Sequence, residues 1–427
     1  MKSIVTAVCV ASVLTVATPF VSRADDASSA SATTPDWKKM YEEQKDRNDS
    51  LEKRLSLLED KSTQGVYVVK EDIPDSTFSF LKKTEIDGYV SASYFYNFNR
   101  PSDHMNVGRG FDTRSDEFMA NKLVVRIGHS IDYSAFDWLA GYSAKLIYGQ
   151  DAELTQASGL SLGNEGDLFE ANLTVNVPIG SGVKVTLGKF GTTMGYESSF
   201  TEENFNWSGG NQWLFAEPFT HTGVLLSYQL TSELELKVTL NNGWDVVADN
   251  NHGKSLMGTA TYTVNDKTSF AITGYGGPEQ DDNSSNWRKG VDFWIDNKCT
   301  PKVETVVQLD YGAEDGADVN HGKAEWFGLG GWLVYTVNDK VNVATRADYF
   351  RDPDGARTDD AFGLTTPSGN ITGQGQELCS VTLTLNYKPV ENLKLAPEFR
   401  WDHSSLDTAF DGHDTQVTLG FGAVYSY

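Results

Sequence analysis

Past residue 24 the chain has no apolar run long enough to cross a membrane as a helix, which takes about 20 consecutive apolar residues. An α-helical membrane protein is thereby excluded. Bases are scarce as well. The chain has 35 Lys and Arg against 59 Asp and Glu, a formal net charge of −24, and nucleic acid is a poor partner for a chain without a basic face. Cysteines number three in 427 residues, and Cys9 lies in a stretch expected to be removed. What the chain does have is 39 glycines and an aromatic content of 12%. Both suit strands in close contact, tight turns and girdles of aromatic side chains.

Met1 to Ala24 reads as an export signal: Lys2, an apolar core from Ile4 to Val16, then Ser22-Arg-Ala24 as a small-x-small cleavage site. No lipidation box accompanies Cys9. Cleavage removes Lys2 and Arg23 and takes the charge to about −26. Residues 25–35 are rich in Ala, Ser and Thr and are expected to be flexible. Over 36–62, Trp37, Tyr41, Gln44, Asn48, Leu51, Leu55 and Leu58 recur at spacings of four and three among charged residues. That is the pattern of a short periplasmic coiled coil with Asn48 at a buried position that fixes register; a solvated helical tether is the alternative. Residues 63–83, with Pro74, form a linker.

From Thr84 to Tyr427 the pattern predicts an all-β domain, a transmembrane antiparallel β-barrel of about sixteen strands. The connections carry this reading. Short turns such as Gly180-Ser-Gly182, Asn265-Asp266 and Asn338-Asp339 alternate with long polar loops at 100–117, 149–167, 191–218, 244–253, 277–286, 312–323, 351–376 and 403–413. Short turns on one side and long loops on the other is the outer-membrane pattern, with both termini on the periplasmic side and membrane lipid around the outer wall. Individual strands agree. In 340–349, Val341, Val343, Ala347 and Tyr349 oppose Asn342, Arg346 and Asp348; in 392–402, Leu393, Leu395, Phe399 and Trp401 oppose Lys394, Glu398, Arg400 and Asp402. Pro397 lacks a ladder donor, so a bulge is expected there.

Alternation turns Lys122, Lys237, Arg288, Asp348, Lys394, Glu398 and Asp402 toward the lumen, within a larger inward set in which acids and bases balance. A barrel of this strand number is wide enough for an aqueous channel. The excess acid then lies in loops and mouth, and predicts a weak cation preference that fades as salt rises. Catalysis finds no support in the pattern. The seven histidines are scattered, and on one strand His221 and Ser227 stand roughly 20 Å apart, too far for a base and a nucleophile. The acidic loops Asp281-Asp282 and Asp352-Pro-Asp-Gly355 lack the spacing of a calcium loop. Cys299 and Cys379 fall at opposite membrane faces and cannot bridge. No catalytic, metal or cofactor site is expected.

Several segments then add up to a resemblance: Gly88-Tyr89-Val90 with Tyr96-Asn-Phe-Asn-Arg-Pro101, Gly188-Lys-Phe190, Gly195-Tyr-Glu197, and His221-Thr-Gly223 with Ser227-Tyr228. Asn242-Gly-Trp-Asp245, Asp249-Asn-Asn251 with Lys254, Asp352-Pro-Asp-Gly355 and Glu398-Phe-Arg-Trp-Asp402 continue it over nearly all of 84–427. The sequence resembles the OmpL-like outer-membrane β-barrel porins of the porin-2 type, and the resemblance implies a porin. The ending also resembles the signal by which outer-membrane barrels are recognised for insertion, with Gly422, Tyr425 and Tyr427, which implies the barrel-assembly machinery as a partner; Gly420 departs from the usual polar residue. By analogy with porins of this size a homotrimer is implied.

The resemblance further implies that the third loop folds inward and narrows the lumen, as in general porins of this strand number. Here that loop is Gly191 to Pro218, and its Glu197, Glu202 and Glu203 are candidates to face Arg126, Arg346 and Arg400 across a constriction. Its Phe200, Phe205, Trp207, Trp213 and Phe215 need burial. A lid over the mouth or a subunit contact would also bury them. The expected function is passive diffusion of small hydrophilic solutes and ions. The alternatives are a substrate-selective channel, or a structural protein whose coiled coil holds peptidoglycan.

Overall fold

The computed structural model describes residues 83–365 and 371–427. The expected signal segment, the coiled-coil positions Trp37, Tyr41, Asn48, Leu51, Leu55 and Leu58, and all but the last residue of the linker lie outside them. Sixteen strands follow in order: β1 (Glu85–Asn97), β2 (Glu117–His129), β3 (Leu139–Tyr148), β4 (Gly166–Val177), β5 (Val183–Gly191), β6 (Thr220–Gln229), β7 (Leu234–Asn241) and β8 (Ser255–Asn265). Then come β9 (Thr268–Gln280), β10 (Asn283–Thr300), β11 (Val303–Glu314), β12 (Ala324–Asn338), β13 (Val341–Asp352), β14 (Gln376–Val390), β15 (Leu393–Ser404) and β16 (Thr415–Ser426). Each pairs antiparallel with its neighbours in sequence. β1 closes on β16 from Tyr89↔Ser426 to Asn97↔Thr418, so the ring has no free edge.

The period of two survives folding. On β16, Leu419, Phe421 and Tyr425 stand exposed on the outer wall, while Gln416, Thr418, Gly422 and Val424 are buried on the inner one. Lys394, Ala396, Glu398, Arg400 and Asp402 of β15 likewise turn inward. The two glycines of the last strand are places of close approach: a Cβ on Gly420 would sit 2.1 Å from the Phe95 ring, and one on Gly422 2.1 Å from Trp207. Packing of Phe95 from β1 therefore accounts for the departure at position 420.

Two expectations fail. The segment 277–286 is not a long loop: β9 and β10 run on to a tight turn at 281–282, where Asp282 has φ 55°. Beyond the membrane both faces of such a ribbon are wet, so its strands carry no apolar alternation to mark them. Pro397 makes no bulge either. Its register with β16 runs unbroken through Pro397↔Phe421, and the irregularity between β14 and β15 falls at Tyr387/Val390. The outer loops 149–165 and 192–219 each hold one short helix, α1 (Ala152–Thr155) and α2 (Asn211–Phe215).

Candidate pore and constriction

The connection 192–219, the third long loop, runs inside the barrel. An irregular segment crossing a lumen carries peptide groups with no strand to pair with, and these need partners. The inner wall supplies them. At the root, the Gly195 N–H donates to Asp292 Oδ1 (3.2 Å) and the Tyr196 N–H to Gln308 Oε1 (3.3 Å). Further on, Trp207 and Ser208 donate their N–H groups to the two oxygens of Glu398 (2.7 and 3.1 Å). Arg346 donates to the carbonyls of Ser208 (2.6 Å) and Gly209 (3.2 Å), and Arg400 to Gly209 (2.7 Å). The Asn211 N–H reaches Asp348 Oδ1 (3.2 Å), and Gln212 Nε2 reaches Asp310 Oδ2 (2.6 Å). The aromatic residues follow: Phe200, Trp207, Trp213 and Phe215 are all buried and Phe205 is half-buried. Burial inside the barrel, not a lid over the mouth, satisfies them.

This arrangement corrects part of the expected site. Arg346 and Arg400 do not face a passage; they are 0% and 1% exposed under the loop. Arg346 pairs with Glu197 (2.6 Å) and Asp348 (3.1 Å), and Arg400 with Asp402 (2.8 Å). Glu197 is buried with them, and burial pushes its carboxyl above the ordinary range despite Arg346. Lys122, Asp348, Lys394, Glu398 and Asp402 point inward as expected but are buried by the loop rather than wetted. Arg109, from the loop 98–116, completes the cluster by pairing with Asp112 and Asp402. Nothing in the sequence pointed to Arg109, which lies in a polar loop with no periodicity.

The opposite side of the lumen is open. Asp87, Arg126, Lys145 and Glu170 stand in one cross-strand row over β1 to β4. Arg126 bonds Asp87 (3.1 Å), Glu202, and Glu203 (3.5 Å) of the loop tip; Lys145 bonds Glu170 (3.0 Å) and Lys237 bonds Glu235 (2.9 Å). Arg288 is held by Glu314 (2.7 Å). Lys184 lies over the Tyr133 ring, 4.2 Å from its centre. A cavity of about 460 Å³ separates the loop from this wall, lined by Lys145, Glu170, Glu203, Glu235, Lys237 and Trp294. A second, of about 390 Å³, has Asp87, Arg126, Lys184 and Ser227 in its wall and shares Lys145 with the first. Of the predicted constriction residues, then, Arg126, Glu202 and Glu203 come together beside open space, Arg346 and Arg400 lie away from it, and Glu197, held by Arg346, forms part of the first cavity's wall.

Other chemistry is spoken for. Glu217, Asp292 and Asp310 bring ligand atoms within 4.8 Å of one another. Gln308 Nε2 stands among them, 2.5 Å from Glu217 Oε1, 3.0 Å from Asp292 Oδ2 and 3.1 Å from Asp310 Oδ2, where a cation would have to sit. His221 is buried, with its ring nitrogens near the Gly243 carbonyl (3.1 Å) and Thr192 Oγ1 (3.4 Å). Asp352 accepts the N–H groups of Arg357 (2.8 Å) and Thr358 (2.9 Å), which makes it a loop cap. Cys299 and Cys379 are not joined by a disulfide, and Cys299 Sγ lies 3.4 Å from Thr305 Oγ1.

A family model described as "Putative beta-barrel porin-2, OmpL-like" matches residues 83–427. A search of curated proteins gave no match. Among solved structures, Pseudomonas putida OprB at high pH superposes with a TM-score of 0.54 at 11% identity, covering 82% of this chain and 96% of its own. An anion-selective porin from Comamonas acidovorans gives 0.53 at 9% identity, over 81% and 99%. The trimer form of in-vitro folded OmpT, an outer membrane protein of Vibrio cholerae, gives 0.52 at 12%, over 81% and 99%. At such identities the likeness is one of fold.

Proposed function

The chain belongs to the OmpL-like porin-2 family of β-barrels and is an outer-membrane porin, and from that premise we propose how it works. Small hydrophilic solutes and ions diffuse passively through the space between the loop 192–219 and the wall of β2 to β8. They pass a constriction where Glu202 and Glu203 meet Arg126. One observation carries this reading: the loop makes most of its bonds to the wall of β10 to β15, leaving the ion-paired residues Lys145, Glu170, Glu235 and Lys237 around open volume. Acids facing bases across a narrow passage orient dipolar solutes and disfavour bulky apolar ones. The trimer form of OmpT supports a homotrimer here, with the apolar outer wall as the contact. Gly422, Tyr425 and Tyr427 would then serve as the insertion signal for the assembly machinery.

The test is single-channel conductance of the purified, folded protein in planar bilayers. Stable ohmic steps are expected, and deletion of 198–212 should raise them. Intact folding with no conductance would remove the channel reading; a deletion without effect would remove the constriction.

A further inference from the structure

Two inward-facing lysines take no part in the passage itself. Lys394 on β15 and Lys122 on β2 are 7% and 2% exposed. Lys394 Nζ donates to the carbonyls of Thr201 (3.2 Å) and Asn204 (2.8 Å), and both its hydrogen-bond acceptors are peptide oxygens. Lys122 Nζ donates to the Ser199 carbonyl (3.0 Å), 3.4 Å from Asp151 Oδ2 and 3.4 Å from the centre of the Phe111 ring. Burying an ammonium is costly, and a methionine of similar length would fill the space without that cost. The three carbonyls share one turn, 198–204. That turn is closed on itself by Asn204, whose Oδ1 accepts from the Ser198 N–H (2.8 Å) and whose Nδ2 donates to the Ser198 carbonyl (2.7 Å). With its carbonyls given to the lysines, the turn presents Glu202 and Glu203 to Arg126.

We propose that Lys394 and Lys122 are positioning residues for the constriction: they hold the turn 198–204 where its two acids meet Arg126, and so set the charge a passing ion encounters. Lysine suits this task because its compact head carries three rotatable donors, enough to hold two carbonyls at once. The proposal rests on the channel reading above and goes beyond it, since it assigns a role in ion selection to residues that touch no ion.

The sign of the effect separates this from simple electrostatics. Removing a positive charge near a pore favours cations. Releasing two acids from their station disfavours them. The experiment measures the reversal potential in a KCl gradient for full-length Lys394→Met and Lys122→Met, alone and combined with Glu202→Gln/Glu203→Gln, with folding followed by heat-modifiable migration on gels. The expected result for each single variant is a folded channel whose reversal potential moves toward anions. In the Gln/Gln background that movement disappears. A shift toward cations of equal size in both backgrounds would overturn the proposal, and so would no shift at all. Should the Met variant at 394 fail to fold, Lys394→Gln keeps a donor and Lys122→Met tests the other grip. Loss of conductance from folded wild-type protein would count against the channel reading instead.

Discussion

The two sides of the inner wall are written in one alphabet and used differently. On β13 and β15, Arg346, Asp348, Glu398 and Arg400 are at most 1% exposed and bind the loop's peptide groups. Across the lumen, Arg126, Lys145, Glu170, Glu235 and Lys237 keep 13 to 29% of their side-chain surface open and pair with one another or with the loop tip. An inward-facing charge is thus structural or functional according to what lies over it. Strand periodicity decides the facing; only the path of the loop decides the cover.

The difference should show first in stability. Arg346→Met strands Glu197 and Asp348 without their guanidinium, and breaking a buried pair in this way costs about 3–5 kcal/mol. A large drop in the unfolding midpoint is expected, with raised and noisier conductance as the loop comes loose. A midpoint within error of wild type would mean that the dry side does not hold the loop.

A smaller loss is expected from Glu398→Gln, which leaves one amide oxygen where two carboxylate oxygens accept from Trp207 and Ser208. Hydrogen bonds to charged groups are worth about 1.5–3 kcal/mol. On the open side, Lys237→Gln removes a partly exposed pair worth about 1 kcal/mol or less. Its unfolding midpoint should stay put while the reversal potential moves toward cations; the opposite pattern would erase the contrast between the two sides.

A separate test is one of pH. Burial pushes Asp245, in the loop 242–254, up to about 6, although it accepts the N–H groups of Thr220 (2.7 Å) and Phe219 (2.9 Å). The folded value lies above the unfolded one of about 3.9, so the folded state holds this proton more tightly. Its contribution is full below about pH 4, declines as pH rises to about 6 and is level beyond. Unfolding midpoints between pH 4 and 7 should show that slope in wild type and not in Asp245→Asn.

The barrel was plain in the sequence because lipid outside and polar contents inside force a period of two on every spanning strand. All sixteen strands stand where that period put them, and the closure of β1 on β16 follows from leaving no edge in hydrocarbon. Where the force stops, so does the signal. The ribbon above the membrane at 277–286 looked like a loop because neither of its faces needs to be apolar. The site was half readable. The aromatic residues of the third loop announced that it would fold back, and the acids of its tip pointed to Arg126. That Arg346 and Arg400 would be covered, and Lys145, Glu170 and Glu235 left open, depends on which wall the loop lies against. No local pattern encodes that choice.

One consequence concerns how freely this channel can be redesigned. The wall holds the stretch 207–211 through N–H and C=O groups, and Glu197 of the same loop accepts the Gly210 N–H; these groups do not depend on the side chain above them. Two limits apply: proline lacks the N–H that Trp207, Ser208, Gly210 and Asn211 each donate, and a Cβ on Gly209 would meet the Trp213 ring at 2.4 Å. New side chains could therefore be written into the loop, at 202 and 203 above all, while its attachment stays as it is. The scaffold tolerates a change of selectivity because its grip does not read the sequence that sets it.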